Sequence, residues 1–185
     1  MNNRSLVVLS FALVFAAVTP KLHSQATPTA TRNGALQVGV AVSEAQTDEF
    51  KPRTQGASGF VDLDLTRNIG VEGEVHVMSI VTPNDFIENS WLAGIRFRTR
   101  IGRVEPYGKG MVGFGRAFIQ APSKVTAPGA PGTYFMYAGG AGIDIRLTHH
   151  IILRCADIEF QLWQDYPPNG LSPVVASAGL AWRFN

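Results

Sequence analysis

Charged side chains recur at every second position in several short segments of this 185-residue chain. Glu72 and Glu74 stand two residues apart, and His76 follows them at the same spacing. Paired carboxylates can provide general acid–base catalysis, and a histidine beside a serine can form a catalytic dyad. The alternating charged set comprises Asp62, Asp64, Glu72, Glu74, His76, Arg96, Arg98, Arg100, Lys109, Asp144, Arg146, Asp157, Glu159 and Arg183.

The charge balance of this set favours a structural role, because it holds seven acidic and six basic side chains. Buried charges must be paired, so we interpret the set as an ion-pair network that fills an enclosed space. His149 and His150 are adjacent, so on a strand they point to opposite faces and cannot chelate one ion. Cys155 is expected to act as a small apolar residue. We therefore expect no catalytic residue, no metal site and no cofactor.

The composition excludes several classes of protein. Apolar residues make up 45% of the chain and charged residues only 16%, which is too apolar and too weakly charged for a disordered chain. The net charge of +2 provides no strong basic field for nucleic acid. A single cysteine excludes an intramolecular disulfide framework and a Cys-rich zinc site.

Residues 1–26 have the pattern of a secretory signal peptide. Arg4 gives the start a positive charge, and the apolar run from Leu6 to Val18 is shorter than the roughly 20 residues that span a bilayer. Small residues at Ser24 and Ala26 predict cleavage after Ala26, and an uncleaved N-terminal anchor is the alternative. Residues 27–33 then form a short polar leader, and residues 34–185 are expected to form one domain.

Apolar and polar residues alternate strictly through the rest of the chain, which is typical of strands with two unlike faces. In the segment 69–78, for example, Val71 and Val75 oppose Glu72 and Glu74. The alternation predicts eight strands, at 35–43, 57–66, 69–78, 91–100, 107–115, 134–147, 152–163 and 174–184.

The predicted connections alternate in length. They are long at 44–56, 79–90, 116–133 and 164–173 and short at 67–68, 101–106 and 148–151. Outer-membrane barrels have this arrangement, with short periplasmic turns and longer external loops. We therefore predict an all-β chain that folds as an eight-stranded antiparallel up-and-down transmembrane β-barrel, with its long loops outside the cell and both ends in the periplasm.

The alternation alone does not distinguish a membrane barrel from a secreted ligand-binding barrel, whose apolar face would be the core. Glycines cluster within strands, as a small, tightly curved barrel requires. Aromatic residues sit at strand ends, where membrane interfaces favour them, at Trp91, Tyr107, Tyr134, Phe135, Trp163, Trp182 and Phe184. Both features favour the membrane barrel.

Two C-terminal segments resemble the last two strands of bacterial outer-membrane β-barrel domain proteins, the small OmpA/OmpX-like barrels. These are LRCADIEFQLW (Leu153–Trp163) and SAGLAWRF (Ser177–Phe184). PYGKGMVGFGR (Pro106–Arg116) and YAGGAGIDIRL (Tyr137–Leu147) are similar to the glycine-rich middle strands of that group. The resemblance implies a protein of the Gram-negative outer membrane. It identifies no catalytic residue in this chain.

That resemblance also implies partners. We expect outer-membrane lipid around the barrel and the barrel-assembly machinery during insertion, with export through the N-terminal signal peptide. We expect a monomer, no nucleic-acid partner and an unidentified partner for the loops.

Arg154 does not fit the alternation, because it shares the parity of the apolar Ile158 and Phe160. That parity makes Arg154 face lipid, where its long side chain can reach the headgroups. The alternative is a β-bulge near Cys155 that turns Arg154 inward.

Strands three and four are expected to pair across the connection at 79–90. A register with Met78 opposite Leu92 predicts two cross-strand ion pairs, Glu74–Arg96 and Glu72–Arg98. The register can slip by two residues without changing which face is which, so the general prediction is that acids of strand three face bases of strand four.

Three functions remain open from the sequence. The first is a non-enzymatic barrel with a lumen plugged by charged side chains and a structural, envelope-integrity or surface-interaction role. The second is a narrow channel or transporter for small solutes, which the balanced lumen charge disfavours. The third is a lipid-modifying outer-membrane enzyme in which His76 would act with a serine.

Overall fold

A computed structural model describes residues 34–46, 53–78, 86–119, 132–164, 166 and 170–184. The predicted signal peptide, its cleavage site and the polar leader at 27–33 lie outside the described residues, as do the central parts of the long loops. Arg32–Asn185 forms one compact unit. Within the described residues, no helix is long and apolar enough to cross a membrane.

Eight antiparallel strands close into a barrel in which each strand pairs with the next and the last pairs with the first. The predicted eight-stranded up-and-down barrel is therefore confirmed. The strands are β1 (Leu36–Gln46), β2 (Thr54–Asp64), β3 (Ile69–Met78), β4 (Phe86–Arg98), β5 (Val104–Ile119), β6 (Gly132–Arg146), β7 (Ile151–Trp163) and β8 (Val174–Phe184).

The two faces of the barrel wall are inverted relative to a soluble barrel. The outward face is apolar, and Val40 and Val42 are each 70% exposed on it. The inward face is polar, and Asp62 is only 2% exposed. Because the outward side chains of the wall are apolar and the inward ones are charged, the fold is that of a membrane barrel rather than a secreted ligand-binding barrel.

The short connections lie at one end of the barrel, which we call the turn end, and the long ones lie at the opposite loop end. Two of the three turns use a threonine hydroxyl to hold the backbone. Thr66 Oγ1 accepts the N–H of Ile69 at 3.0 Å, and Thr148 Oγ1 accepts the N–H of Ile151 at 2.9 Å. Side chains of this type favour tight turns because they satisfy backbone donors locally.

Glycines in the wall make room for large inward side chains. A Cβ atom on Gly115 would collide with the ring of Trp163, and one on Gly39 would collide with the ring of Phe60. The glycine-rich strands are therefore needed where the narrow lumen must hold an aromatic ring.

An apolar cluster fills the lumen at the loop end. It consists of Leu92, Met111, Met136, Ala138, Trp163, Tyr166 and Leu171, with Tyr134 packed against it. Trp163, Tyr134 and Tyr107 were predicted as interfacial aromatics, and that prediction is wrong, because Trp163 and Tyr107 are buried inside the barrel and Tyr134 packs on the cluster. Their alternation positions them inward, whereas Trp91, Phe135, Trp182 and Phe184 lie on the outward face.

Candidate functional site: a charged lumen

The barrel directs all members of the predicted charged set into its lumen. Most are buried, whereas Arg100, Arg146 and Arg183 near the turn end keep side-chain exposures of 29%, 27% and 14%. The inward positions bring these residues together from seven of the eight strands and from the β4–β5 turn.

Arg154 belongs to this lumen, so the prediction that it faces lipid is wrong. Its side chain is 1% exposed. The pairing of β7 with β8 shifts between Arg154 and Asp157, and Cys155 and Ala156 both point outward. This irregularity changes the alternation by one residue, which is the alternative that the sequence left open.

Glu105 is, after Arg154, the second buried charged residue of the lumen that the predicted set does not contain. It is buried and has the parity of Lys109, a member of the predicted inward set. The prediction started this strand at Tyr107, whereas β5 begins at Val104. Extending the alternation two residues toward the turn would have identified it.

Arg154 lies at the centre of the lumen and bonds to carboxylates from several strands. Its nitrogens lie 3.0 Å from Asp62 Oδ2, 3.3 Å from Glu72 Oε1, 3.4 Å from Asp144 Oδ1 and 3.4 Å from Asp157 Oδ2. The guanidinium carbon lies 3.5 Å from the centre of the Phe60 ring. One cation therefore connects four acidic side chains and is stacked on an aromatic ring as well.

Lys109 serves a second group of carboxylates. Its Nζ lies 2.6 Å from Glu74 Oε2, 2.7 Å from Asp157 Oδ2, 3.1 Å from Glu72 Oε1 and 3.2 Å from Glu159 Oε2. A compact ammonium with three donors suits a cage of this kind.

Arg96 completes the central group. One of its terminal nitrogens donates to Asp62 and the other to Asp144, and Glu72 Oε2 lies 3.5 Å away. Its guanidinium carbon stacks 3.7 Å from the centre of the Tyr107 ring. We call Asp62, Glu72, Glu74, Asp144, Asp157 and Glu159, together with Arg96, Lys109 and Arg154, the central network.

The predicted β3–β4 register is wrong by four residues. Glu74 lies opposite Leu92 and Glu72 opposite Gly94, so neither predicted cross-strand pair forms. Glu72 does contact a base of β4, Arg96, but Glu74 bonds to Lys109 of β5 instead. The alternation fixes which side chains point inward and leaves the sliding of one strand along its neighbour undetermined.

A second group of charges lies nearer the turn end. Arg98 Nη2 lies 2.6 Å from Asp64, while Arg100 Nε and Arg146 Nε each lie 2.8 Å from Glu105. We call Asp64, Glu105, Arg98, Arg100, Arg146 and Arg183 the turn-end network. A cavity of about 480 Å³ opens beside it and is lined by Arg103, Arg146, Leu147, Thr148, His149 and Arg183.

The two networks differ in net charge. The central network has six acidic and three basic side chains, and the turn-end network has two acidic and four basic ones. Among the described residues, no ion pair connects the two. The lumen is therefore acidic at its centre and basic toward the turn end.

His76 lies at the loop-end side of the central network. Its Nε2 is 3.4 Å from Glu74 Oε1 and 3.8 Å from Glu159 Oε1. Ser58 and Ser90 are its cross-strand neighbours on either side. Neither ring nitrogen makes a hydrogen bond within the described part of the chain, so no serine hydroxyl is bonded to it.

A profile of the outer membrane protein beta-barrel domain family matches residues 7–184 of the chain. A search of curated proteins found no match. Solved structures share the fold. Neisserial surface protein A aligns with a TM-score of 0.60 and 14% identity, covering 82% of this chain and 97% of that protein.

Two further structures are similar. The N-terminal β-barrel domain of OprF from Pseudomonas aeruginosa has a TM-score of 0.55 and 14% identity, over 82% of this chain and 99% of that domain. Ail, the attachment invasion locus protein of Yersinia pestis, has a TM-score of 0.53 and 20% identity, over 82% and 97% of the two chains. At these identities the likeness shows the fold.

Proposed function

Because this chain belongs to the outer membrane protein β-barrel domain family, we propose that it is a non-enzymatic barrel with a plugged lumen and a structural or surface-interaction role in the cell envelope. The filling of the lumen is the observation that carries this proposal. Charged side chains of the central network meet across the barrel axis, and the apolar cluster lies beyond them toward the loop end.

A channel would need a continuous water path past both layers. The interior of an eight-stranded barrel is just wide enough for side chains. Arg154 and Lys109 each contact four carboxylates, so moving either cation aside would expose several buried charges at once. We infer that the folded barrel does not conduct ions.

The loop end has a feature suited to surface interaction. A membrane-spanning strand needs about 9–11 residues, but β5 has 16 and β6 has 15. At a tilt of about 40° a strand of this length rises roughly 40 Å, whereas the apolar band of such barrels is about 25 Å tall. The β5–β6 hairpin is therefore roughly 15 Å taller than the band.

The outward side chains indicate which end of this hairpin leaves the membrane. Phe114 and Phe135 pack edge to face on the outward surface, with ring centres 5.6 Å apart. One step further toward the loop end, the outward positions are Arg116 and Thr133, which face each other across the ladder. This change from aromatic to polar supports a membrane boundary at the loop end. We infer that the loops lie outside the cell because barrels of this kind have their longer loops on the external side.

We also infer that His76 does not form a catalytic dyad. A general base must come within hydrogen-bond reach of the hydroxyl that it activates, and His76 Nε2 instead faces the carboxylates of Glu74 and Glu159 at 3.4 and 3.8 Å. Mass spectra of lipid A from cells with and without the gene are expected to be identical. A mass change that depends on His76 would contradict this inference.

The closed lumen is tested by conductance. The purified chain is refolded and reconstituted in planar bilayers, with a large porin prepared by the same protocol as the positive control. We expect no stepwise current above that of the empty bilayer. Reproducible single-channel steps from the folded barrel would show a water path and would favour the channel function.

A further inference from the structure

We propose that the lumen contains a binding site for one divalent transition-metal ion, best suited to zinc, formed by His76, Glu74 and Glu159. The site lies at the loop-end side of the central network. It goes beyond the proposed function, which requires only a closed barrel.

The spacing of the three side chains is that of ligands around an ion. His76 Nε2 lies 3.4 Å from Glu74 Oε1 and 3.8 Å from Glu159 Oε1, and one ligand atom from each of the three residues lies within 4.8 Å of the others. Hydrogen bonds would bring such atoms to about 2.7–3.2 Å. Tetrahedral zinc with bonds of 2.0–2.2 Å holds its ligands about 3.3–3.6 Å apart.

The histidine is an independent indication of a ligand. His76 is 2% exposed, and neither ring nitrogen has a hydrogen-bond partner among the described residues. Its Nε2 lies within ion-pair distance of two carboxylates but forms a hydrogen bond with neither, and its Nδ1 has no hydrogen-bond partner among the described residues. A buried imidazole without a hydrogen bond is costly, and a cation held between Nε2 and the two carboxylates accounts for the spacing of these atoms. Imidazole nitrogen is a common ligand of zinc, and carboxylate oxygens complete the usual ligand types.

Lys109 leaves the required oxygens available. Its Nζ contacts Oε2 of Glu74 at 2.6 Å and Oε2 of Glu159 at 3.2 Å, whereas the Oε1 atoms of both residues are the ones that face His76 Nε2. A second cluster, formed by Glu72, Glu74 and Asp157, has ligand atoms equally close to one another. The ammonium of Lys109 already occupies that cluster, so of these two groups of described residues the one that contains His76 is left for another cation.

Outer contacts hold one ligand in position. Gln161 Nε2 donates to Glu159 Oε1 at 2.7 Å, and Trp163 Nε1 donates to Gln161 Oε1 at 3.1 Å. Such contacts orient metal ligands in known sites, where their loss typically lowers metal affinity about 10–100-fold.

The charge of the lumen supports the same conclusion. The central network has three more acidic than basic side chains, and buried charges are stable only when they are compensated. A divalent ion would reduce this excess to one. The mixture of imidazole and carboxylate favours zinc over magnesium or calcium, which prefer oxygen ligands alone.

The test measures zinc bound by the refolded barrel. The chain is stripped with a chelator in denaturant, refolded with zinc chloride or magnesium chloride, dialysed, and analysed by elemental mass spectrometry. We expect about one zinc per folded barrel and a higher urea midpoint with zinc than with magnesium. Less than a tenth of an equivalent in the folded wild-type barrel would overturn the proposal.

Variants locate the ion. His76→Gln and Glu159→Gln are expected to lose the bound zinc, and Gln161→Leu is expected to lower zinc affinity about 10–100-fold. A double variant of the exposed turn histidines, His149→Gln with His150→Gln, is the matched control and should bind as the wild type does. Zinc that persists in His76→Gln and disappears in the turn variant would assign binding to the turn and refute the lumen site.

X-ray absorption tests the site in the wild-type chain, so its result does not depend on whether the variants fold. Heat-dependent migration on gels identifies folded barrels, and X-ray absorption is then recorded on the zinc-loaded wild type. We expect one imidazole together with oxygen ligands at about 2.0–2.2 Å. A spectrum with oxygen ligands alone would exclude His76 and overturn the proposal.

Discussion

Replacing Arg154 with methionine should destabilise the barrel more than any comparable change at the turn end. Arg154 is the cation of the central network with the most widely separated partners, since it contacts acidic side chains on β2, β3, β6 and β7. Methionine retains an apolar side chain that packs beside Phe60 and removes the charge. Six acidic side chains would then share the two remaining bases, Arg96 and Lys109.

The magnitude follows from the burial of these partners. Removing one member of a buried ion pair costs about 3–5 kcal/mol, because the other member is left without compensation. We expect Arg154→Met to lower the free energy of unfolding by that amount. Arg100 makes a comparable ion pair with Glu105, but its side chain is 29% exposed and Glu105 keeps Arg98 and Arg146. Arg100→Met should therefore cost about 1 kcal/mol or less.

The assay is urea unfolding of both variants in lipid bilayers, followed by tryptophan fluorescence and extrapolated to zero denaturant. Adding Asp62→Asn to Arg154→Met removes one uncompensated acid and should recover about 0.5–3 kcal/mol. A loss below about 1 kcal/mol for Arg154→Met would refute the reasoning, because an arginine at the lipid interface costs roughly 0–1 kcal/mol and its removal would be nearly neutral.

Further predictions concern the wall, the lumen pairs and the topology. Val40→Lys should cost about 2–4 kcal/mol in bilayer unfolding if Val40 lies near the midplane, and a negligible cost would place it away from lipid. In double-mutant cycles, Glu74 should couple to Lys109 by about 0.5–3 kcal/mol and hardly at all to Arg96, so equal coupling would contradict the register. Protease added to intact cells should cut the β5–β6 loop and spare the β2–β3 turn, and the reverse pattern would mean inverted topology.

The sequence was sufficient to predict the barrel because its main signal is geometric. Alternation with period two assigns each side chain to a face, and the alternating connection lengths arrange the strands as a meander. The direction of the side chains could therefore be predicted for each strand separately, so an error in one strand did not affect the prediction for the next. Val71 and Glu72 point outward and inward as the pattern requires.

Arg154 and the β3–β4 register could not be predicted in the same way. A bulge adds one residue to one strand and reverses the parity that follows. The misfit of Arg154 indicated a bulge near Cys155 only as one of two alternatives, because an arginine at a membrane interface would give the same sequence pattern. The register depends on where β4 begins, and Phe86 continues the strand five residues before the predicted start at Trp91. Sliding a strand by an even number of residues leaves the hydrophobic pattern unchanged.

The position of His76 shows the limit of reasoning by residue type. The sequence places His76 on the inward face among charged residues, and this position favours a structural role for it within the ion-pair network. The relevant facts are that Glu159 comes from β7, on a distant part of the chain, and that Lys109 occupies the opposite oxygens of Glu74 and Glu159. These contacts form only when the barrel closes, so no local sequence pattern predicts them.

The distribution of charge along the barrel indicates that the lumen side chains do more than fill the interior. The nearly balanced totals of acidic and basic side chains predicted an ion-pair network from the sequence, without predicting how the charges are distributed along the barrel axis. The structure instead concentrates six acids around three bases at the centre and four arginines around two acids toward the turn end. Separation of this kind is unfavourable within one narrow lumen unless something compensates the centre, since uncompensated buried charge is costly. A divalent ion beside His76 would supply that compensation without opening the barrel, so closure and metal binding are consistent with each other.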